Sequence, residues 1–229
     1  ADRSHNLNGV FLYDERLQGK GGDAMCNLRF LYHSWLLKKR GLDAMPKILV
    51  SIMDNCVDQN KSQCTMMFFM WLSTWLYDRI LLVFLIPGHS HMAADRVVSW
   101  SKRSLQGRNL FNAKQIAECI DGVKNVSASY FDHANNHRPF FSGWKSIFSK
   151  YFKPLPGGYT ENYVFEFFQG VCHIRPHVNL PGYNHVFCEE KNLVRFKNSS
   201  LNDIFSTTDL QAIANGLLPV NLPRKPNVK

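Results

Sequence analysis

Lys47-Ile-Leu-Val-Ser-Ile-Met-Asp-Asn-Cys-Val-Asp-Gln-Asn-Lys61 and, beyond a long apolar segment, Leu81-Leu-Val-Phe-Leu-Ile-Pro-Gly-His-Ser-His-Met-Ala-Ala-Asp-Arg96 decide the fold. The pattern predicts a buried strand ending in an acid, a helix, a second buried strand ending in Pro-Gly-His, and a helix start carrying another acid. Two apolar strands that both deliver polar groups at their C-terminal ends make the ligand-bearing edge of an open α/β sheet. Strand and helix alternate from Gly9 to Gln106, which predicts an α/β architecture with at least two parallel strands.

Upstream, Gly9–Asp14 is a short apolar run of strand type, and Gly19, Gly21 and Gly22 supply a turn. Asp23 is placed to cap a helix running through Cys26, Phe30, Leu31, Trp35 and Leu36. Its last turn carries Lys38, Lys39 and Arg40, where cations suit the dipole, and Gly41 stops it. Ser62–Tyr77 has helix length and is apolar almost all round, so it is expected to be sandwiched, with Met66, Phe68, Met70 and Trp71 as core filling. Arg79–Ile86 reads as a strand buried on both faces.

Downstream, the span 91–106 predicts a helix with Val97, Val98, Trp100 and Leu105 inward and Arg96, Lys102 and Arg103 outward. A short helix over Ala113–Ile120, a strand over Val126–Phe131, a loop over Asp132–Pro139 and an aromatic helix around Trp144 follow. Pro154–Gly158 is the clearest linker. Beyond it Tyr163–Phe168, Val171–Ile174 and Val186–Phe196 are hairpin material with Gly170 at a turn. Leu201–Leu218 is assigned small helices, and the proline-rich basic tail Pro219–Lys229 an extended form.

Composition narrows the classes. At 229 residues the chain is long enough for one large domain or a domain with an appendage. Lys and Arg number 27 against 18 Asp and Glu, a formal charge of +9. That surplus favours an anionic partner, nucleic acid before a membrane surface. Residues 1–8 are polar and carry no apolar signal-peptide core. The apolar stretches Met66–Leu76 and Ile80–Ile86 are broken by Asp78 and Arg79 and fall short of the roughly 20 residues that span a bilayer. A soluble, intracellular protein is expected. The six cysteines (Cys26, Cys56, Cys64, Cys119, Cys172, Cys188) form no C-x-x-C pair and read as buried free thiols in a reducing compartment.

Chemistry concentrates at the two strand ends. Asp54 follows a strand, and Asp95 falls in the first turn of a helix after a sharp turn at Gly88. That order of elements can bring two carboxylates to one rim, with His89 and His91 where ligands or proton carriers would lie. Carboxylate oxygens are what Mg²⁺ or Mn²⁺ prefers, with phosphate oxygens and waters completing the shell. Two such ions about 4 Å apart activate a water and stabilise a leaving oxygen in phosphodiester cleavage. The structural alternative is that Asp54-Asn55 are turn residues and Asp95 a helix-start charge beside Arg96.

Asp54-Asn-Cys-Val-Asp-Gln-Asn-Lys61, followed by Pro87-Gly-His-Ser90 and Asp95-Arg96, resembles a family of transposon-derived domains of uncharacterised function with an RNase H-like, DDE-transposase-type core. The family's usual form is Asp-Asn-Cys-Gly-Gly-Gln-Asn-Lys, then Gly-His-Ser/Thr, with an Asp-Arg pair shortly after. Tyr13-Asp-Glu15, Lys20-Gly-Gly and Cys26 fit the elements that precede the central Asp. The likeness covers roughly Asn8 to Arg103 and is fainter through Trp144–Arg175. It implies an RNase H-like mixed sheet flanked by helices over residues 8–153, with a β-rich and helical extension over 159–218 and the tail 219–229.

By the same resemblance Asp54 and Asp95 are metal-holding catalytic acids and His89 an accessory catalytic residue. Asn55, Gln59 and Asn60 would orient metal water or phosphate. Lys61, Arg96, Lys102 and Arg103 would meet the DNA or RNA backbone by charge, in a nuclear protein. This chain departs from the pattern in three places. The family's first acid lies on a strand that would precede Asn8, Ala24 stands where a Glu is common, and Val57-Asp58 replaces Gly-Gly. A site short of one acid holds metal less well. The second reading is therefore a catalytically inactive module that binds nucleic acid or protein.

Two further clusters stand outside these motifs. Cys172, His173, His177, His185 and Cys188 are potential zinc ligands, but their spacing matches no zinc pattern, and Pro176, Pro181 and Gly182 fit an ordinary loop. Lys145, Lys150 and Lys153 interleave with Trp144, Tyr151 and Phe152 as in single-strand binding surfaces. Core-facing aromatics with solvated lysines are the simpler account.

Overall fold

The computed structural model describes residues 8–88, 93–131 and 143–188. Its elements in chain order are β1 (Asn8–Tyr13), α1 (Glu15–Gln18), α2 (Gly22–Arg40), β2 (Ile48–Met53), α3 (Val57–Asn60), α4 (Gln63–Trp75) and β3 (Arg79–Phe84). Then come α5 (Ala93–Leu105), α6 (Ala113–Asp121), β4 (Val126–Phe131), α7 (Trp144–Phe148), β5 (Val164–Phe168), β6 (Val171–Arg175) and β7 (Tyr183–Val186). Among the described residues, 8–19 and 93–131 form one unit, and 20–88 and 143–188 a larger one.

The larger unit is mixed α/β. Its sheet has five strands in the order β2-β3-β5-β6-β7, with β2 parallel to β3 and the remaining pairs antiparallel. The segment after Gly158, expected as an extension, thus joins the sheet begun by β2 and β3, with Ile80 opposite Phe167 and Val83 opposite Val164. Its hairpin turns at Gln169 and Gly170, both with positive φ (46° and 81°).

Helix α4 is the core of this unit. Ser62 caps it by accepting the Thr65 N–H at 3.2 Å. Met66, Phe68, Met70, Trp71 and Leu72 have no exposed surface, as a helix apolar on all sides requires. Helix α4 packs on α2 and α7 and against the sheet, where the Phe69 ring meets Phe167. Trp144 of α7 stacks with Phe148, meets Phe68 edge-on, and donates its indole N–H to the buried Asn27 Oδ1 at 2.8 Å. The aromatics around Trp144 are therefore core, while Lys145, Lys150 and Lys153 are exposed.

Three expectations are corrected here. Strand β2 is not buried on both faces: Ile48, Val50 and Ile52 are 57, 56 and 56 % exposed. It stands at the end of the sheet with β3 as its neighbour, and only the Leu49–Met53 face shares the covered side of Ile80, Leu82 and Phe84. Strand β3 likewise alternates, with Leu81 and Val83 half-buried. Asp23 does not cap α2. Gly21 holds that position, and Asp23 sits in the first turn, where it accepts the Cys64 thiol at 3.5 Å.

In the smaller unit β1 and β4 pair in parallel, Asn8 opposite Val126 and Tyr13 opposite Phe131. Val97, Ile120 and Val126 form its buried centre, with Val10, Leu12, Leu105 and Ile116 packed around them. Asn112 caps α6 by accepting the Gln115 N–H at 2.9 Å. Val98 and Trp100, expected inward on α5, are 51 and 37 % exposed. The inward stripe runs through Val97, Ser101 and Leu105, spaced four apart, and leaves those two off it. The expected loop 132–139, the helices of 201–218, the tail 219–229 and residues 189–196 of the last expected strand lie outside the described residues.

Candidate active site

Asp54 is the first residue beyond β2 and its side chain is exposed. The single turn of α3, started from Cys56, brings the chain back over it: the Asn60 N–H donates to the Cys56 carbonyl at 2.7 Å. This turn was not expected from the sequence, because four residues carry no periodicity. It places the Asn60 amide so that Nδ2 donates to Asp54 Oδ1 and, at 3.4 Å, to the Asp54 carbonyl. The Cys56 N–H also approaches Oδ1, at 3.5 Å. One carboxylate oxygen is thus held, and no described residue hydrogen-bonds the other, Oδ2.

Behind Asn60 stands a residue that sequence reasoning missed. Arg29 of α2 donates from Nη2 to Asn60 Oδ1 at 2.5 Å and approaches the Met53 sulfur at 3.4 Å. Its guanidinium lies over the Phe69 ring, 5.3 Å from the centroid. Burial lowers the Arg29 pKa, opposed by the Cys26 and Cys64 thiols and the Asp54 carboxylate. Arg29 Nη1 and Asn55 Oδ1 are buried without a hydrogen-bond partner. A lone arginine between Leu28 and Phe30 on a helix with a long apolar stripe is the signal that could have flagged it.

The other expected site residues fall as follows. The Gln59 carbonyl accepts the Thr65 hydroxyl at 2.7 Å and so ties α3 to the start of α4. Lys61 is corrected: it is 0 % exposed and cannot reach a phosphate backbone. Its ammonium donates to the Thr160 carbonyl at 2.8 Å and sits 4.7 and 4.6 Å from the Phe84 and Tyr163 ring centroids. The Lys61 carbonyl accepts the Tyr159 hydroxyl, and burial pushes the Lys61 ammonium down to about 8. Its aliphatic stem and aromatic surroundings explain why a cation tolerates this position.

Asp95 lies in the first turn of α5, in the smaller unit, and is exposed, as are Arg96, Lys102 and Arg103 on the same helix. Asp54 belongs to the larger unit. His89 and His91 lie outside the described residues. Among the described residues there is no group of three or more His, Cys, Asp and Glu that could hold a metal ion. In the fifth-to-seventh strand region, Cys172 is buried, His173 Nδ1 pairs with Asn184 Oδ1 at 2.7 Å, and His185 Nε2 lies 3.4 Å from the Lys153 carbonyl.

The donor set around Asp54 is hard oxygen. Asp54 is exposed and its Oδ2 has no protein hydrogen-bond donor among the described residues, while Asn55 Oδ1 is buried without one. That chemistry suits Mg²⁺ or Mn²⁺, which take oxygen ligands and keep several waters, better than zinc.

A family model described as a domain of unknown function, DUF7869, matches residues 6–170. Neither the comparison with curated proteins nor that with solved structures gives a match.

Proposed function

We propose that this chain, which belongs to the DUF7869 family of domains of unknown function, is a transposase-derived, RNase H-like domain that acts on nucleic acid by divalent-metal-dependent phosphodiester cleavage or strand transfer. The observation that carries the reading is the Asp54 carboxylate. It is exposed beyond a strand in a parallel pair, one oxygen is fixed by Asn60, and the other is left for a ligand. The mixed sheet with helices packed on it and the +9 charge support the reading, and the Asp-Asn-Cys-x-x-Gln-Asn-Lys motif ties it to the transposon-derived resemblance.

In this reading Asp54 holds Mg²⁺ or Mn²⁺, and the resemblance implies Asp95 and His89 as further catalytic groups. The ion, when bound, supplies Lewis-acid stabilisation of charge on the reacting phosphate. The protein's own part is orientation. Asn60 stops rotation of the Asp54 carboxylate. Arg96, Lys102 and Arg103 meet the nucleic-acid backbone by charge.

The test is nicking of supercoiled DNA and cleavage of structured RNA with Mg²⁺ or Mn²⁺, comparing the chain with Asp54→Asn and Asp95→Asn. Metal-dependent cleavage lost in both variants supports the reading. Salt-sensitive binding without cleavage, unchanged by either substitution, overturns it in favour of an inactive nucleic-acid-binding module.

A further inference from the structure

The geometry points to Arg29 as a positioning residue for the Asp54 carboxylate, acting from helix α2 through the side chain of Asn60. This inference rests on the reading of Asp54 as a metal ligand and adds the residue that sets its orientation.

Three observations carry it. The side chains form one chain of hydrogen bonds: Arg29 Nη2 to Asn60 Oδ1 at 2.5 Å, then Asn60 Nδ2 to Asp54 Oδ1. An amide can face its two neighbours in two ways. A guanidinium, which only donates, forces the Asn60 oxygen towards itself and hence the NH₂ towards the acid. Arg29 thereby selects the one amide orientation that binds a carboxylate; the flipped amide would set oxygen against oxygen.

Secondly, Arg29 does this with no carboxylate ion pair of its own among the described residues, where three such pairs are formed by other arginines. Its Nη1 is buried and unpartnered. A buried guanidinium left so costs stability, and a purely structural role would be served as well by an apolar side chain of similar volume. The position over Phe69 and against Met53 fixes the guanidinium from behind, so the chain of hydrogen bonds starts from a rigid point.

Thirdly, the chain occupies Oδ1 alone. Together with the Cys56 N–H it fixes which oxygen of Asp54 stays available. Groups that orient a metal-ligating side chain in this way typically change metal affinity by about 10–100-fold when removed.

The experiment measures Mn²⁺ binding directly, from the loss of the free Mn²⁺ paramagnetic resonance signal, on the full chain. It compares wild type with Asp54→Ala, Asn60→Ala, Arg29→Met and the Asn60→Ala/Arg29→Met double variant. Circular dichroism melts run alongside. The expected result is loss of the tight site in Asp54→Ala and about tenfold weaker binding in Asn60→Ala and in Arg29→Met. In the Asn60→Ala background, Arg29→Met should add less than about twofold, because both act through one contact.

Wild-type-like Mn²⁺ affinity in Asn60→Ala and Arg29→Met, with Asp54→Ala still losing the site, overturns the Arg29 inference and leaves the metal reading standing. Additive losses in the double variant overturn it too. Failure of Asp54→Ala to change Mn²⁺ binding removes the metal reading, and this inference with it. Should Arg29→Met melt before binding is measured, Arg29→Lys takes its place in the same comparison. Lysine keeps a donor for Asn60 but not the planar fork, so its binding should fall between wild type and Asn60→Ala.

Discussion

At the scale of single residues, the larger unit encloses several polar groups, some paired and some, such as Arg29 Nη1 and Asn55 Oδ1, without a hydrogen-bond partner. His33 is the clearest paired case. Its ring is 5 % exposed, and its Nδ1 pairs with the Tyr77 hydroxyl at 2.9 Å. Burial, with the nearby Arg29 guanidinium adding to it, pushes the imidazole from 6.5 down to about 3. The unfolded chain therefore binds a proton that the folded chain refuses throughout the window from 6.5 to about 3. Stability from this group is fully present above that window and is lost as the pH falls through it. Between about pH 7 and pH 5 the loss amounts to about 2 kcal/mol. In His33→Gln, which keeps a polar partner for Tyr77 but does not titrate, urea unfolding should show a pH dependence shallower than wild type by about that amount.

At the scale of elements, the start of α2 and the start of α4 lie so close that only glycine fits between them. A Cβ on Gly22 would stand 2.4 Å from Ser62 Oγ and 3.3 Å from Cys64 Cβ. Ser62 is the cap of α4 and cannot turn away without releasing the Thr65 N–H. Gly22→Ala should therefore destabilise the chain by roughly 1–3 kcal/mol despite alanine's better helix propensity, read as a lower urea midpoint. The extents of β2, β3, α4 and the β5–β6 hairpin were legible in the sequence, because each is a run of one period bounded by Pro, Gly or a charge. Strand order was not, since nothing in the composition of Ile48–Met53 separates an edge strand with an exposed apolar face from a central one. The site was legible in part. Asp54 and Asn60 stood out as a motif, but Arg29 drew no reading and Lys61 read as a charge contacting the nucleic-acid backbone, and only packing shows Lys61 between the Phe84 and Tyr163 rings and Arg29 over Phe69. The Asn60 role also shifted, from orienting a ligand to orienting the acid itself.

At the scale of the whole molecule, the property that most constrains function is charge. The excess of nine positive charges makes any nucleic-acid binding depend on salt, through release of the counterions that basic side chains replace. Among the described residues no helix is long and apolar enough to cross a membrane. Which lysines and arginines count towards the salt dependence follows from exposure, not from position in the motif. Lys102 and Arg103 are exposed in the last turn of α5, where cations also suit the helix dipole. Replacing either by Ala should flatten the plot of log affinity against log salt by about one unit, with stability changed by no more than about 0.5 kcal/mol. Lys61 should behave in the opposite way. Its ammonium is enclosed by Phe84, Tyr163 and the Thr160 carbonyl, so Lys61→Ala removes a fully buried side chain and leaves that carbonyl without its donor. The expected outcome is a loss of about 2–4 kcal/mol in urea unfolding with an unchanged salt slope. Fluorescence-anisotropy titrations of a labelled duplex at several salt concentrations, run beside the unfolding curves, separate the two classes. A salt slope that falls with Lys61→Ala at wild-type stability would place that ammonium in solvent and refute its enclosure.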